Sequence, residues 1–238
     1  MKIATKLKEY ICSAKITHFS ILDSLRLTSS NSLRVTLNRL VKSNEIYNPI
    51  KGYYVCKNAD PFEVATLLRP GYLTLQTALY LHHLSEEYPF TIYVASNFRG
   101  TLKLGEHEIC YFKPKNYLGV ENTTYRTASV SKAIYDCLTY ADKIGYTKIA
   151  KAIYNSKFLA KDFLNLCKNE NSAFFQRLGY TLSILPRLDE QKKIILQVCK
   201  KKVLANAYLL GRNSGKYVAK WKIIDNVGEK VILSWWDQ

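Results

Sequence analysis

The sequence predicts an α+β protein, with a winged helix-turn-helix over residues 1–57 and a mixed α+β domain over residues 58–238. Three observations predict it. Residues 29–43 combine an apolar stripe at helical spacing with a polar outer face. Two further short helical segments precede that stretch, and a strand–turn–strand follows it. Beyond residue 90, β-branched and aromatic runs cluster and then give way to helices.

In the run from Ser29 to Ser43, Leu33, Leu37 and Leu40 recur at 3.6-residue spacing, with Val41 at their edge. Asn31, Arg34, Val35, Asn38 and Lys42 point away from that stripe. Upstream, Ala4–Ala14 places Leu7, Tyr10 and Ile11 on one side, and Phe19–Leu27 reads as a second helix. Leu27-Thr28-Ser29-Ser30 is a tight connection rich in residues that cap helix N-termini. Downstream, Glu45-Ile46-Tyr47 and Tyr53-Tyr54-Val55-Cys56 read as strands around the turn Asn48-Pro49-Ile50-Lys51-Gly52. Three helices and a hairpin in this order form the winged helix-turn-helix.

The second region starts after Asn58-Ala59-Asp60. Pro61 suits the first turn of a helix that runs to Arg69, and Pro70-Gly71 stops it. Thr74 stands as an N-cap for Leu75–Leu84. Phe90–Ala95 and Ile109–Phe112 are strand-like, and Gly100 and Gly105 bracket a hairpin around Thr101–Leu104. Helices are expected at Ser131–Ile144, Thr147–Ile153, Ala160–Asn169 and Ser172–Leu185, with the strands clustered between residues 90 and 127.

Composition narrows the function. The chain has 238 residues, 47% of them hydrophobic and 13% aromatic, enough for a sizeable core and unlike a disordered chain. No apolar run approaches the roughly 20 residues that span a bilayer, so no membrane partner is expected. The N-terminus lacks the apolar core of a signal peptide, which favours a cytoplasmic protein. Six widely spread cysteines lack any Cys-x-x-Cys pair, argue against zinc, and mostly read as small buried hydrophobes. His82 and His83 diverge by about 100° on a helix and cannot face one ion, so no metal is expected. Gly211-Arg212-Asn213-Ser214-Gly215-Lys216 is one residue short of a phosphate loop, and Tyr217 replaces its Ser or Thr; it reads as a polar turn. No nucleophilic triad or paired carboxylates stand out, so neither catalytic residues nor a cofactor are expected.

Charge points to a polyanion. The net charge is +16, and residues 1–57 carry ten basic against three acidic side chains, while residues 187–238 carry eleven against five. An excess of this kind favours nucleic acid, with affinity that falls steeply as salt rises. Arg and Asn offer the forked donors and acceptors that match guanine and adenine edges, and an outward Val suits a thymine methyl. Asn31, Arg34, Val35 and Asn38 are therefore the base-edge candidates. Ser29, Ser30, Arg39 and Lys42 are candidates for phosphate contacts, and Asn48 with Lys51 for the wing. The plain alternatives are a solvated helix face, an Arg39–Glu45 ion pair, and simple capping by Ser29.

Several stretches in the second region carry a family resemblance. Arg69-Pro70-Gly71-Tyr72-Leu73-Thr74-Leu75-Gln76-Thr77-Ala78-Leu79 and the His82-His83-Leu84 that closes it resemble a motif of the AbiEi family of antitoxin-like regulators. His83 stands where that family usually has Gly. Tyr125–Asp136 is similar to a second motif, with Val130-Ser131 in place of its Pro-Glu. Phe175-Gln176-Arg177-Leu178-Gly179-Tyr180 resembles the Arg-Leu-Gly-Tyr of its C-terminal helices, and Trp221–Asn226 its closing strand. The resemblance implies the antitoxin and transcriptional repressor of a type IV toxin–antitoxin system, linked to abortive infection and antiviral defence. It implies a winged helix on double-stranded DNA at repeats in its own promoter. It also implies a nucleotidyltransferase-like toxin as functional partner, neutralised without a stable complex.

Two other function classes remain open on the sequence. One is a nuclease or nucleotidyltransferase targeted by a winged helix, for which no carboxylate cluster is evident. The other is a winged-helix protein-interaction module. In the basic C-terminal segment, Lys192-Lys193, Lys200-Lys201-Lys202, Arg212, Lys216, Lys220 and Lys222 either extend a nucleic-acid footprint or form a solvated surface, the latter favoured for Lys192-Lys193. Arg126, Lys132, Asp136 and Arg177 lie on family-like motifs, with Asp136 open to a structural ion pair with Lys132 or Arg177. Trp235-Trp236 either stacks on bases or closes a core.

Overall fold

The computed structural model describes residues 3–236. Its secondary structure is mixed α+β. Chain contacts divide it into two compact units, one built from residues up to 73 with 90–114 and 124–126, the other from 74–89, 115–123 and 127 onward. The boundary expected after residue 57 falls inside the first unit.

The first unit opens with helix α1 (Ile3–Ala14), strand β1 (Ile16–His18), α2 (Phe19–Ser24), α3 (Ser30–Lys42), β2 (Ile46–Ile50) and β3 (Tyr53–Cys56). The three strands form an antiparallel sheet in the order β1-β3-β2. The apolar stripes meet as expected: Leu7 and Ile11 of α1, Leu22 of α2, and Leu33, Leu37 and Leu40 of α3 share one core with Ile46 and Tyr54. Helix α2 is shorter than the expected Phe19–Leu27, because Arg26 takes a left-handed conformation (φ 50°) that no helix continues through. Strand β1 was not foreseen; three residues are too few to show a period.

Two residues fix the hairpin. The β2–β3 register shifts between Tyr47 and Ile50, where Pro49 has no N–H for the ladder. Gly52 turns the chain at φ +85°, a left-handed conformation that favours glycine, and a Cβ there would also press on the His18 ring, 2.9 Å from Nε2.

Cys12 of α1 and Cys56 of β3 form a disulfide across 44 residues of sequence. The expectation that most of the six cysteines are small buried hydrophobes does not extend to this pair. Their separation carries no pairing signal, and only the packing of α1 on β3 brings them together. The other four cysteines are free, three of them buried. Closing a loop of this length restricts the unfolded chain and stabilises by about 2–4 kcal/mol. Cys12→Ala/Cys56→Ala is expected to lower the melting temperature measurably under oxidising conditions and to make it insensitive to reductant. Equal melting of wild type with and without reductant would contradict this.

The unit continues through α4 (Pro61–Leu68), β4 (Gly71–Leu73), β5 (Thr91–Ser96), β6 (Gly100–Leu104) and β7 (His107–Phe112), the strands running side by side as β6-β7-β5-β4. Asp60 caps α4 through the Phe62 N–H, with Pro61 in the first turn as the sequence predicts. The β6–β7 hairpin turns at Gly105 (φ +60°).

The second unit takes in α5 (Leu75–Leu81), β8 (Val120–Asn122), α6 (Val130–Thr139), α7 (Ala141–Ile144), α8 (Tyr146–Asn155), α9 (Ala160–Leu166), α10 (Ser172–Ile184) and α11 (Glu190–Lys200); strand β9 (Arg126–Ala128) leads into α6. The single helix expected over Ser131–Ile144 is broken at Tyr140 (φ −117°, ψ 44°). Strands also occur outside residues 90–127: β10 (Ala207–Tyr208), β11 (Lys216–Val218) and β12 (Ile223–Asp225) form a small sheet in the order β10-β12-β11. A 3-10 turn (Ala219–Trp221) joins its last two strands, and α12 (Glu229–Ile232) follows. The Gly211–Gly215 stretch is the connection between β10 and β11, as its reading as a turn predicts.

Helix α5 ends on His83 at φ +56°. The His83 N–H donates to Tyr80 O (2.9 Å) and the Leu84 N–H to Leu79 O (2.8 Å), the paired bonds of a Schellman end. The exposed imidazole occupies a position that glycine takes without strain. His83→Gly is therefore expected to stabilise the protein by about 1 kcal/mol, the cost of a left-handed L-residue. A lower unfolding midpoint for His83→Gly in urea would contradict it.

Candidate nucleic-acid interface

Helix α3 is positioned from both ends. Ser29 caps it: its Oγ accepts the Ser32 N–H and donates to Ser32 Oγ (3.1 Å). Ser30 Oγ donates to Asp23 Oδ1 (2.7 Å), which ties the first turn of α3 to α2. With Leu33, Leu37 and Leu40 in the core, Asn31, Arg34, Val35, Asn38, Arg39 and Lys42 are all exposed. Residues 31, 34, 35, 38 and 42 follow the three-and-four spacing that places side chains on one face. Val35 is 49% exposed, an apolar group among polar ones.

Among the described residues, no hydrogen bond or ion pair holds the side chains of Asn31, Asn38, Arg39, Lys42 or Lys51. The expected alternative partner of Arg39 is engaged elsewhere. Glu45 accepts from Lys8 Nζ (2.9 Å) and Ser43 Oγ (2.9 Å), and the Lys8 hydrogen bond holds its carboxyl below the usual glutamate range. Arg34 lies over the Phe19 ring, 5.1 Å from its centre. Burial pushes the Tyr54 phenol up, against the opposing charge of Arg34. A planar cation held on an aromatic face keeps its donors turned outward and gives up little freedom on binding.

The wing candidates divide. Lys51 is exposed in the turn before Gly52. Asn48 spends its amide inside the hairpin, donating to Ile50 O (3.0 Å) and Tyr53 O (2.7 Å), so only its carbonyl faces outward chemistry. Ser29 and Ser30 are likewise engaged by capping and by Asp23, which leaves backbone N–H groups of the first turn as anion donors. Sequence reasoning missed Lys8 and Asp23, whose roles depend on contacts between helices.

Of the other motif residues, Lys132, Asp136 and Arg177 are held in contacts within the second unit. Lys132 and Asp136 are fully buried and paired (Nζ–Oδ1 2.9 Å), resolving the Asp136 alternative in favour of Lys132. Lys132 Nζ also donates to Asn116 O (3.0 Å) and Oδ1 (3.1 Å), and Thr74 Oγ1 donates to Asp136 Oδ2 (2.8 Å). Thr74 sits at the α5 N-cap position without capping through its side chain. Burial pulls the Lys132 pKa down, and Asp136 only partly opposes it. Arg177 Nε donates to Tyr208 O (2.8 Å), Tyr180 to Asp225 Oδ2 (2.6 Å), and the Gln176 amide to Ala205 O and Trp221 O (both 2.7 Å). A Cβ on Gly179 would fall 2.2 Å from the Trp221 ring. The run 175–180 is thus the seat of the β10-β12-β11 sheet. Lys192 is buried rather than solvated, bonded to Ser156 O (2.8 Å) and Asp189 (2.7 Å).

By architecture the chain is an α+β protein. Among solved structures it is similar to the crystal structure of the RV2827C protein from Mycobacterium tuberculosis, with a TM-score of 0.64 over 99% of this chain and 94% of that chain. The two are 10% identical, so the likeness is one of fold. No protein-family profile matches the chain, and no curated protein does.

Proposed function

We propose that the protein is a DNA-binding transcriptional autorepressor that acts as the antitoxin of a type IV toxin–antitoxin system. Residues 1–57 are the winged helix-turn-helix, with α3 in the major groove and the β2–β3 hairpin as the wing. The observation that carries the DNA half is the outer face of α3: exposed Asn31, Arg34, Val35 and Asn38, flanked by Arg39 and Lys42, which have no ion pair among the described residues. These groups are costly to leave idle only in solvent-free surroundings; on the surface they stand ready for base edges and phosphates. The +7 balance of residues 1–57 supports the same partner. The antitoxin half rests on the AbiEi resemblance, as does a nucleotidyltransferase-like toxin opposed without a stable complex. No catalytic residue, metal or cofactor is part of the reading.

The test is a fluorescence-anisotropy titration of the full chain with labelled duplex from upstream of its own gene, at two salt concentrations and against an unrelated duplex. Selective binding that weakens with salt is expected. Indifference to that duplex, or equal affinity for both, would overturn the repressor reading.

A further inference from the structure

A cavity of about 900 Å³ in the second unit lies between the end of α10, strand β11, the 3-10 turn and α12. Its floor is apolar: Trp221 is buried there, pinned by its indole N–H to Ser183 Oγ (2.9 Å). Two aromatic rings at its rim are half exposed, Tyr217 at 50% and Trp236 at 47%. Trp236 is braced from behind by Tyr154, ring centres 5.1 Å apart. Three exposed lysines line the same cavity, Lys216, Lys220 and Lys230, and none has an ion pair among the described residues. Against them stand Glu229 and Asp225, of which Asp225 is buried and already accepts from Tyr180 and from the Val227 and Gly228 N–H groups.

An apolar hollow of ligand size with exposed rings takes a flat hydrophobic body. Three unpaired cations spread over β11, the turn and α12 call for several negative charges, more than one phosphate supplies. In a duplex the base faces are hidden by stacking, and only an unpaired base offers one to a ring. We propose that this cavity binds a single-stranded nucleic acid, with an unpaired base against Tyr217 and Trp236 and the adjoining phosphates on Lys216, Lys220 and Lys230. The site is separate from α3 and does not depend on the duplex-binding reading.

The test uses the full chain and a fluorescein-labelled short oligothymidylate, read by anisotropy at low and moderate salt. Wild type is expected to bind, with thymidine monophosphate a far weaker competitor. Tyr217→Ala and Trp236→Ala should each weaken binding about tenfold, the effect of losing one stacking ring, while Tyr217→Phe retains it. Lys216→Gln/Lys220→Gln/Lys230→Gln should weaken it and flatten its salt dependence. The rings are half exposed, so thermal melts of the variants should match wild type. The promoter duplex should bind these variants normally, and Arg34→Ala/Asn38→Ala should bind the oligonucleotide normally. Absence of oligonucleotide binding, ring variants that bind like wild type, or equal competition by the mononucleotide or by an acidic peptide would each overturn the proposal.

Discussion

Arg34→Ala/Asn38→Ala should abolish selective recognition of the promoter duplex while leaving the protein folded. Each forked side chain that reads a base edge contributes about 1–3 kcal/mol of discrimination, so the pair should lose roughly 30-fold to 10⁴-fold in affinity for the selected sequence. Binding to unrelated duplex should fall much less. Truncating Arg34 also removes its contact with Phe19, worth about 0.5–1 kcal/mol at an exposed site, so stability should change only slightly. Arg39→Gln/Lys42→Gln provides the contrast. Loss of two phosphate contacts should weaken every sequence alike and reduce the salt slope by about 2. If the Arg34/Asn38 variant keeps its preference, α3 is not the reader.

Lys132→Met should be the most damaging single change to the second unit. Methionine fills much of the space but takes the Lys132 charge away from the fully buried Asp136 carboxylate, which still accepts from the Thr74 hydroxyl. Breaking a buried pair from one side costs about 3–5 kcal/mol, a large share of a typical folding free energy. Lys132→Met/Asp136→Leu removes both charges and should recover most of that loss, since the pair itself contributes little beyond a matched apolar replacement. A double variant no more stable than the single one would refute this account. The pH dependence has a definite sign. The Lys132 pKa is lower folded than unfolded, so between the two values the unfolded chain holds more protons and stability rises with pH. Both Met variants should lack that alkaline increment, measured as the difference from wild type in urea unfolding.

Periodicity exposed the elements that one segment specifies alone. Leu33, Leu37 and Leu40 define the buried side of α3, and the core assembles them as the spacing requires. Capping at Ser29, the start of α4 at Pro61 and the turn at Gly105 also follow local rules. The candidate interface was legible for the same reason: once the apolar stripe is fixed, the outward residues of a helix are fixed too. Short strands escaped, since β1, β10 and β11 hold two or three residues and owe their form to neighbours.

What the sequence by itself determined, then, is the α+β class, the helix faces, and the concentration of positive charge at both ends of the chain. Tertiary structure alone decided partners distant in sequence: Cys12 with Cys56, Lys8 with Glu45, Thr74 with Asp136, and Gly179 beneath Trp221. It also decided that Lys132 and Lys192 are interior groups while Lys216, Lys220 and Lys230 ring a cavity. The physical reason is one of range. Helix period, caps and turns act over a few residues, whereas burial of a charge depends on which distant segments fold over it.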